Sequence, residues 1–288
     1  MNAHIFLPQG MPCADVLQTS TYSLGDWQGV EGCLRVLFLN LMPVKVDTEL
    51  DIARTLSLCT NRKVQVLPMK IKGQTYKTTP MEHMEQLYLD FEQFSPYQFD
   101  RLIITGAPLE QIPFEEVRYW PQLQQIMHWA DEHVKRTLYI CWAAQAGLYE
   151  HYGINKYALK DKMFGIFDQR VLCSDSPLMR GFASSFKMPN SRHTEVKRAD
   201  VECASSKGLQ LIAASSESGV GVMTTENERR TFIVGHLEYA ADTLDKEYKR
   251  DLSKNLPIKA PLHYYNEEKQ IAFSWQSDAA KFYRNWLE

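Results

Sequence analysis

An alternation limits what this chain can fold into more than any other feature of it. Four short, densely apolar runs lie at residues 34–41 (LRVLFLNL), 63–69 (KVQVLPM), 101–105 (RLIIT) and 137–141 (TLYIC). Runs this short and this continuously apolar suit strands buried on both faces. The stretches between them have helical spacing. Residues 48–58 carry Leu50, Ile52, Ala53 and Leu56, and residues 80–94 start a helix at Pro80. Residues 114–134 give a long helix interrupted near Pro121, and 143–151 a short one ended by Gly153. Strand and helix in this order predict an α/β fold: a mostly parallel sheet with helices on both faces.

The second half is less regular. Residues 163–172, 209–214, 219–224 and 231–234 read as strands, the later ones antiparallel, before a helix from Tyr239 to about Lys254. A last amphipathic piece, 278–287, carries Ala279, Phe282, Tyr283 and Trp286. Residues 1–33 mix Gly, Pro, Ser and Thr without a period and read as an irregular arm. No Ser/Gly linker or internal repeat divides the chain, so one domain over 1–288 is expected, with its core at 34–255 followed by a C-terminal segment at 256–288.

Composition excludes several classes. Of 288 residues, 44% are hydrophobic and 23% charged, enough for a substantial core and too apolar for disorder. With 32 basic against 35 acidic side chains the net charge is −3, and no basic run reaches five residues, which argues against nucleic acid as a partner. The N-terminus MNAHIFLPQG lacks a charged region followed by a long apolar one, and no membrane span can be drawn. Six scattered cysteines without a C-x-x-C pair suggest reduced thiols in a cytoplasm. His128 and His133, five apart, diverge by about 140° on a helix, so no zinc site is expected. No phosphate loop or dinucleotide fingerprint is present.

In open α/β sheets ligands collect where strands end and helices begin, and Cys141 stands at such a junction in YICWAAQAG. A sharp strand-to-helix turn lifts a side chain clear of the sheet, and the helix N-terminus favours a thiolate. The Trp142 backbone N–H would supply half of an oxyanion hole. Ala143, Ala144, Ala146 and Gly147 provide the small residues such an elbow needs. Read alone, TLYIC is equally a buried strand end, because free cysteine is commonly interior. A base has to be found before the two can be separated. Of eight histidines, His236 in TFIVGHLEY follows a buried strand, and Glu238 stands where it can orient the ring, although a surface histidine fits that position as well. TGAP places Gly106 and Ala107 after another strand, either as a second oxyanion donor or as a plain βα turn.

Five segments then occur in order: LNLMPVKVDTE, ITGAPLE, ICWAAQAGLYEHYG, SRHTEV and GHLEY. Together they closely resemble the homoserine O-acyltransferase family of methionine biosynthesis, over roughly residues 34–252. That family is similar to class I glutamine amidotransferases, a flavodoxin-like architecture with an elbow cysteine and an H-x-E dyad. The resemblance implies that Cys141 is the acyl-thioester nucleophile, His236 the general base, Glu238 its partner and Lys45 an active-site lysine. It places Lys162, Ser191, Arg192 and Arg250 at substrate-binding positions. An amino-acid substrate offers a carboxylate that an arginine can clamp in two places.

The resemblance also bears on the substrates. Acetyl-CoA users of the family carry Glu at the position of Glu110 and succinyl-CoA users Gly; a carboxylate there would repel the succinyl carboxylate by roughly 1 to 4 kcal/mol. His193, where succinyl users commonly show Tyr, points the same way. Acetyl-CoA is the implied co-substrate, with no further cofactor and no metal. The chain departs from the pattern at SWQSD (274–278), where the family shows W-R-S-H, and at Asn190, where it shows His. L-homoserine is the expected acceptor, with L-serine, one methylene shorter, the alternative. Thiol hydrolysis or glutamine amidotransfer is a further alternative on the same fold. A homodimer follows from base rates alone.

Overall fold

The four apolar runs form adjacent parallel strands. In the structure, a computed structural model describing residues 2–288, the chain begins with β1 (Asn2–Pro8), α1 (Pro12–Leu17) and β2 (Thr19–Tyr22). It continues through β3 (Leu34–Leu39), α2 (Lys45–Cys59), β4 (Val64–Lys70), α3 (Met81–Leu87), β5 (Leu89–Asp90), α4 (Phe91–Phe94) and β6 (Phe99–Ile104). Then come α5 (Trp120–His133), β7 (Val134–Ile140), α6 (Trp142–Tyr152), β8 (Tyr157–Val171), β9 (Ser185–Glu195) and α7 (Arg198–Cys203). Strands β10 (Leu209–Ser215), β11 (Gly219–Thr225) and β12 (Arg230–Ile233) precede helices α8 (Thr243–Ser253) and α9 (Gln276–Leu287).

One sheet runs in the order β2-β1-β4-β3-β6-β7-β12-β11-β10-β8-β9, with β5 beside β4. From β2 to β12 neighbouring strands are parallel; from β12 to β9 they are antiparallel. Successive side chains alternate between faces, so Val36 and Phe38 of β3 join one core with α1, α2 and α9, while Leu37 and Leu39 join the other with α5 and α6. Two covered faces explain why these strands are apolar at every position.

One terminal expectation is corrected. The arm at 1–33 is not irregular: β1 pairs with both β4 and β2, and Ile5 and Leu7 are fully buried. The C-terminal segment, 256–288, packs against the core. Phe282, Tyr283 and Trp286 of α9 are buried against the face carrying α2, and Arg101 donates to the Trp286 and Leu287 carbonyls at 2.9 and 2.6 Å, satisfying the helix's last acceptors.

Three local expectations also shift. The helix expected over 80–94 breaks at Tyr88, whose extended backbone lets its hydroxyl donate to buried Glu49 at 2.6 Å. The helix expected from Tyr239 starts at Thr243, because the Tyr239 ring stacks on His236 at 4.1 Å. Strand β9 was not foreseen. Its sequence SFKMPNSRHTE has little apolar content, and the ladder with β8 supplies its order. No helix among the described residues is long and apolar enough to cross a membrane, and all six cysteines are free thiols.

Candidate active site

Strands β7 and β12 lie side by side, parallel and in register, with Ile140 opposite Ile233. Whatever follows each strand therefore emerges at the same edge of the sheet. Cys141 follows β7, its N–H donating to the Ile233 carbonyl at 2.7 Å; His236 follows β12, its N–H donating to the Pro189 carbonyl at 2.9 Å. Gly235 makes that second bond possible, since a Cβ there would stand 2.5 Å from the Pro189 oxygen.

Cys141 has φ 54° and ψ −114°, a conformation that side-chain-bearing residues rarely adopt. It is the residue before α6, and its carbonyl accepts the helix's first hydrogen bond, from Gln145. An elbow of this kind turns its side chain out of the sheet at a helix start, where amides have no acceptor within the helix. Trp142 provides the first of these amides. The TGAP turn lies against the same elbow, where a Cβ on Gly106 would be 3.2 Å from the Cys141 Cβ and 3.6 Å from the Trp142 nitrogen. Ala107, buried beside it, accepts from the Leu109 amide in the turn. Glycine at 106 is what permits this approach.

The His236 ring is buried between Cys141 and Glu238. Its Nδ1 lies 2.7 Å from Glu238 Oε1, and the Cys141 side chain is close enough for its charge to act on the ring. Burial works against an imidazolium here, but the negative charges of the Cys141 sulfur and the Glu238 carboxylate outweigh it and raise the His236 pKa well above its ordinary value. The order Cys141, His236, Glu238 is the one that a nucleophile, a base and an orienting carboxylate need.

A second group meets on α8. Lys162 Nζ is 2.6 Å from Glu247 Oε1 and 3.6 Å from Asp251 Oδ2. The Ser191 hydroxyl donates to the same Glu247 oxygen at 2.7 Å. Arg250 Nη2 lies 3.6 Å from it and 2.7 Å from Asp251 Oδ1. Of these residues, Glu247 and Asp251 escaped the sequence reading. Their signal was the i, i+3, i+4 spacing of Glu247, Arg250 and Asp251, which places all three on one helix face.

Glu110 and His193 join the two groups. Burial raises the Glu110 pKa, opposed by the charges of His236 and Lys162 and by the His193 backbone N–H, and reinforced by Glu247. Its carboxyl is therefore within the electrostatic field of both groups. The His193 pKa is lowered by burial and by Lys162, against the pull of Glu247 and Asp251.

Lys45 and Arg192 are held by the protein itself. The Lys45 ammonium is buried and donates to the carbonyls of Asn40 and Met42 at 2.7 and 2.6 Å. Burial lowers its pKa to about 8 despite nearby Glu49. The Arg192 guanidinium, also buried, donates to Asn190 Oδ1, the Thr194 carbonyl and the Ser218 carbonyl. It braces β9 behind the elbow, where Thr194 also donates to Gln145 of α6 at 2.9 Å.

Comparison with known proteins bears on both fold and family. A family model described as homoserine O-succinyltransferase matches residues 7–288. A protein of Phocaeicola vulgatus named homoserine O-acetyltransferase is 48% identical over 288 residues, covering 98% of this chain and 93% of its own. One of Bacteroides fragilis with the same name is 49% identical over 257 residues, covering 88% of this chain and 83% of its own. Among solved structures, a glutamine amidotransferase of Thermotoga maritima has a TM-score of 0.56 at 15% identity, covering 88% of this chain and 96% of that one. The glutaminase domain of a Trypanosoma brucei CTPS has a TM-score of 0.52 at 11% identity, with 84% and 98% covered. At such identities the likeness is one of fold, and the fold is the glutamine amidotransferase-like one expected.

Proposed function

The chain belongs to the homoserine O-succinyltransferase family, and from that premise we propose that it moves an acetyl group from acetyl-CoA to the side-chain hydroxyl of L-homoserine through a thioester on Cys141. It is an acyltransferase with homoserine as acceptor, in keeping with relatives about 49% identical. The observation that carries the covalent route is the row Cys141, His236, Glu238 at one sheet edge, with the cysteine on a strained elbow at a helix N-terminus.

The Cys141 thiolate attacks the thioester carbonyl, and the oxyanion is held by the Trp142 amide and an amide of the Gly106–Ala107 turn. The tetrahedral intermediate collapses, CoA leaves as a thiolate, and the His236 imidazolium gives it a proton. His236, now neutral, takes the proton of the homoserine hydroxyl as the oxygen attacks the acetyl thioester. A second collapse expels the Cys141 thiolate, beside a His236 that is again protonated and held by Glu238. O-Acetylhomoserine departs, a precursor for sulfur amino-acid synthesis.

Acceptor binding falls to the α8 cluster. Arg250 and Lys162 meet the substrate carboxylate, and Glu247, already an acceptor for Ser191, takes the α-ammonium. Arg192 and Lys45 position the elbow and the loop after β3. Glu110 supports acetyl over succinyl as the transferred group, because a free succinyl carboxylate would have to approach its charge. Incubation with acetyl-CoA alone tests the reading: acetyl should appear on the Cys141 peptide and vanish when homoserine is added. Glutaminase activity without acetylation would reverse it.

A further inference from the structure

The steps above account for the thioester and the amino acid but leave the long thiol leaving group unplaced. A groove of about 560 Å³ adjoins the site, within the roughly 300–1,000 Å³ usual for small-molecule pockets. Glu110 and His193 are among its lining residues, and the same residues lie within the electrostatic reach of the α8 cluster, Glu110 also of His236. From there it extends between the 110–115 loop and residues 155–160, among exposed side chains.

The lining of the groove differs from that of the α8 cluster. There, cations and carboxylates already neutralise one another within hydrogen-bond distance. Here Ile112, Pro113, Phe114 and Leu159 give apolar walls, with the amide side chains of Gln111 and Asn155 among them. Lys156 is part of the wall: its ammonium donates to the Ile112 carbonyl at 2.6 Å and lies 4.0 Å from the Phe114 ring centroid. The carboxylate of Glu115 is engaged by the Tyr149 hydroxyl. Lys160 stands exposed among the lining residues.

A bulge explains how one strand serves both places. The β8–β9 register jumps from Ala158 opposite Thr194 to Met163 opposite Arg192, so residues 159–162 face His193 alone. From that bulge Lys162 reaches Glu247, and Lys160 lines the groove. His193 lies between the two.

We propose that this groove binds the leaving group of the acyl donor. The thioester sits at Glu110 and His193, the amide-bearing pantetheine arm runs along the apolar walls, and the nucleotide phosphates lie at the rim beside Lys160. An arm that alternates aliphatic carbons with amides matches apolar walls edged by Gln111 and Asn155, and a phosphate matches an exposed ammonium. The proposal rests on the acetyl-CoA reading.

The test compares acetyl-CoA with acetyl-pantetheine, which has no phosphate, as donors to the full chain. Lys160→Glu should raise KM for acetyl-CoA by about tenfold or more while KM for acetyl-pantetheine changes by less than about twofold. KM for acetyl-CoA should rise with salt more steeply in the wild type than in this variant. Ala158→Trp, which fills the groove, should slow acylation of Cys141 by both donors. Equal changes for the two donors in Lys160→Glu, no change in either, or wild-type acylation in Ala158→Trp overturns the groove assignment. A wild-type chain that takes acetyl from neither donor overturns the acetyl-CoA reading and the groove with it; normal wild-type acylation with unaltered variants overturns the groove alone.

Discussion

The Lys162 ammonium, carried on a strand bulge, ends 2.6 Å from Glu247 Oε1 on α8. The pair fixes a positive and a negative group side by side, which is what the proposed zwitterionic acceptor needs. Glu247→Gln or Arg250→Ala should each raise KM for L-homoserine by about 10- to 100-fold, with KM for acetyl-CoA little changed. Steady-state kinetics with each substrate varied checks this. L-Serine, a methylene shorter, should show kcat/KM lower by about 10- to 200-fold.

Glu238 raises the His236 pKa by its charge and its hydrogen bond. Its removal should therefore lower that pKa. In Glu238→Gln, kcat should fall by about 100-fold or more, and the alkaline limb of the kcat/KM profile for acetyl-CoA should move to lower pH. An unmoved limb in a pH–rate series would separate Glu238 from the titration of His236.

Charge at Glu110 is the basis for donor choice. Glu110→Gln should raise kcat/KM for succinyl-CoA relative to acetyl-CoA by about fivefold or more, the low end of the Coulomb range at contact. Burial raises the Glu110 pKa, so its negative charge grows as pH rises. Wild-type discrimination against succinyl-CoA should widen toward alkaline pH, and the variant's should stay flat.

Asp51 of α2 is buried, and burial raises its pKa to about 7, with Arg54 opposing and Glu238 adding to the shift. The folded chain then holds a proton that the unfolded chain has released above the ordinary value of 3.8. The contribution of this carboxyl to stability is greatest below that value and is lost as pH rises toward about 7. Asp51→Asn, neutral throughout, removes the loss. Its Tm relative to wild type should increase from pH 4 to pH 8, read by thermal unfolding at each pH.

Trp286 of α9 is fully buried. Trp286→Ala should cost about 3 to 5 kcal/mol of stability, measured by urea unfolding. A value near zero would mean that the last helix is not part of the folding unit.

Much of the architecture was legible because the central strands carry their burial in their composition. A strand covered on both faces is apolar at every position, and the runs at 34–41, 63–69, 101–105 and 137–141 show it. Edge and ladder strands lack that mark. In β1 only a few residues are deeply buried, and β9 takes its order from hydrogen bonds to β8, so neither stood out from loop sequence. The break at Tyr88 was hidden for a related reason, since its cause is Glu49, 39 residues earlier.

The amino-acid sequence by itself determined the alternation of strand and helix, the small residues behind Cys141 and the order of the motifs, because each depends on neighbours along the chain. Tertiary structure decided the rest. The parallel register of Ile140 with Ile233 brings Cys141 to His236, and the β8 bulge brings Lys162 to Glu247, 85 residues away. Strand pairing of this kind is a long-range choice: it is fixed by which faces bury together, and no local pattern encodes it.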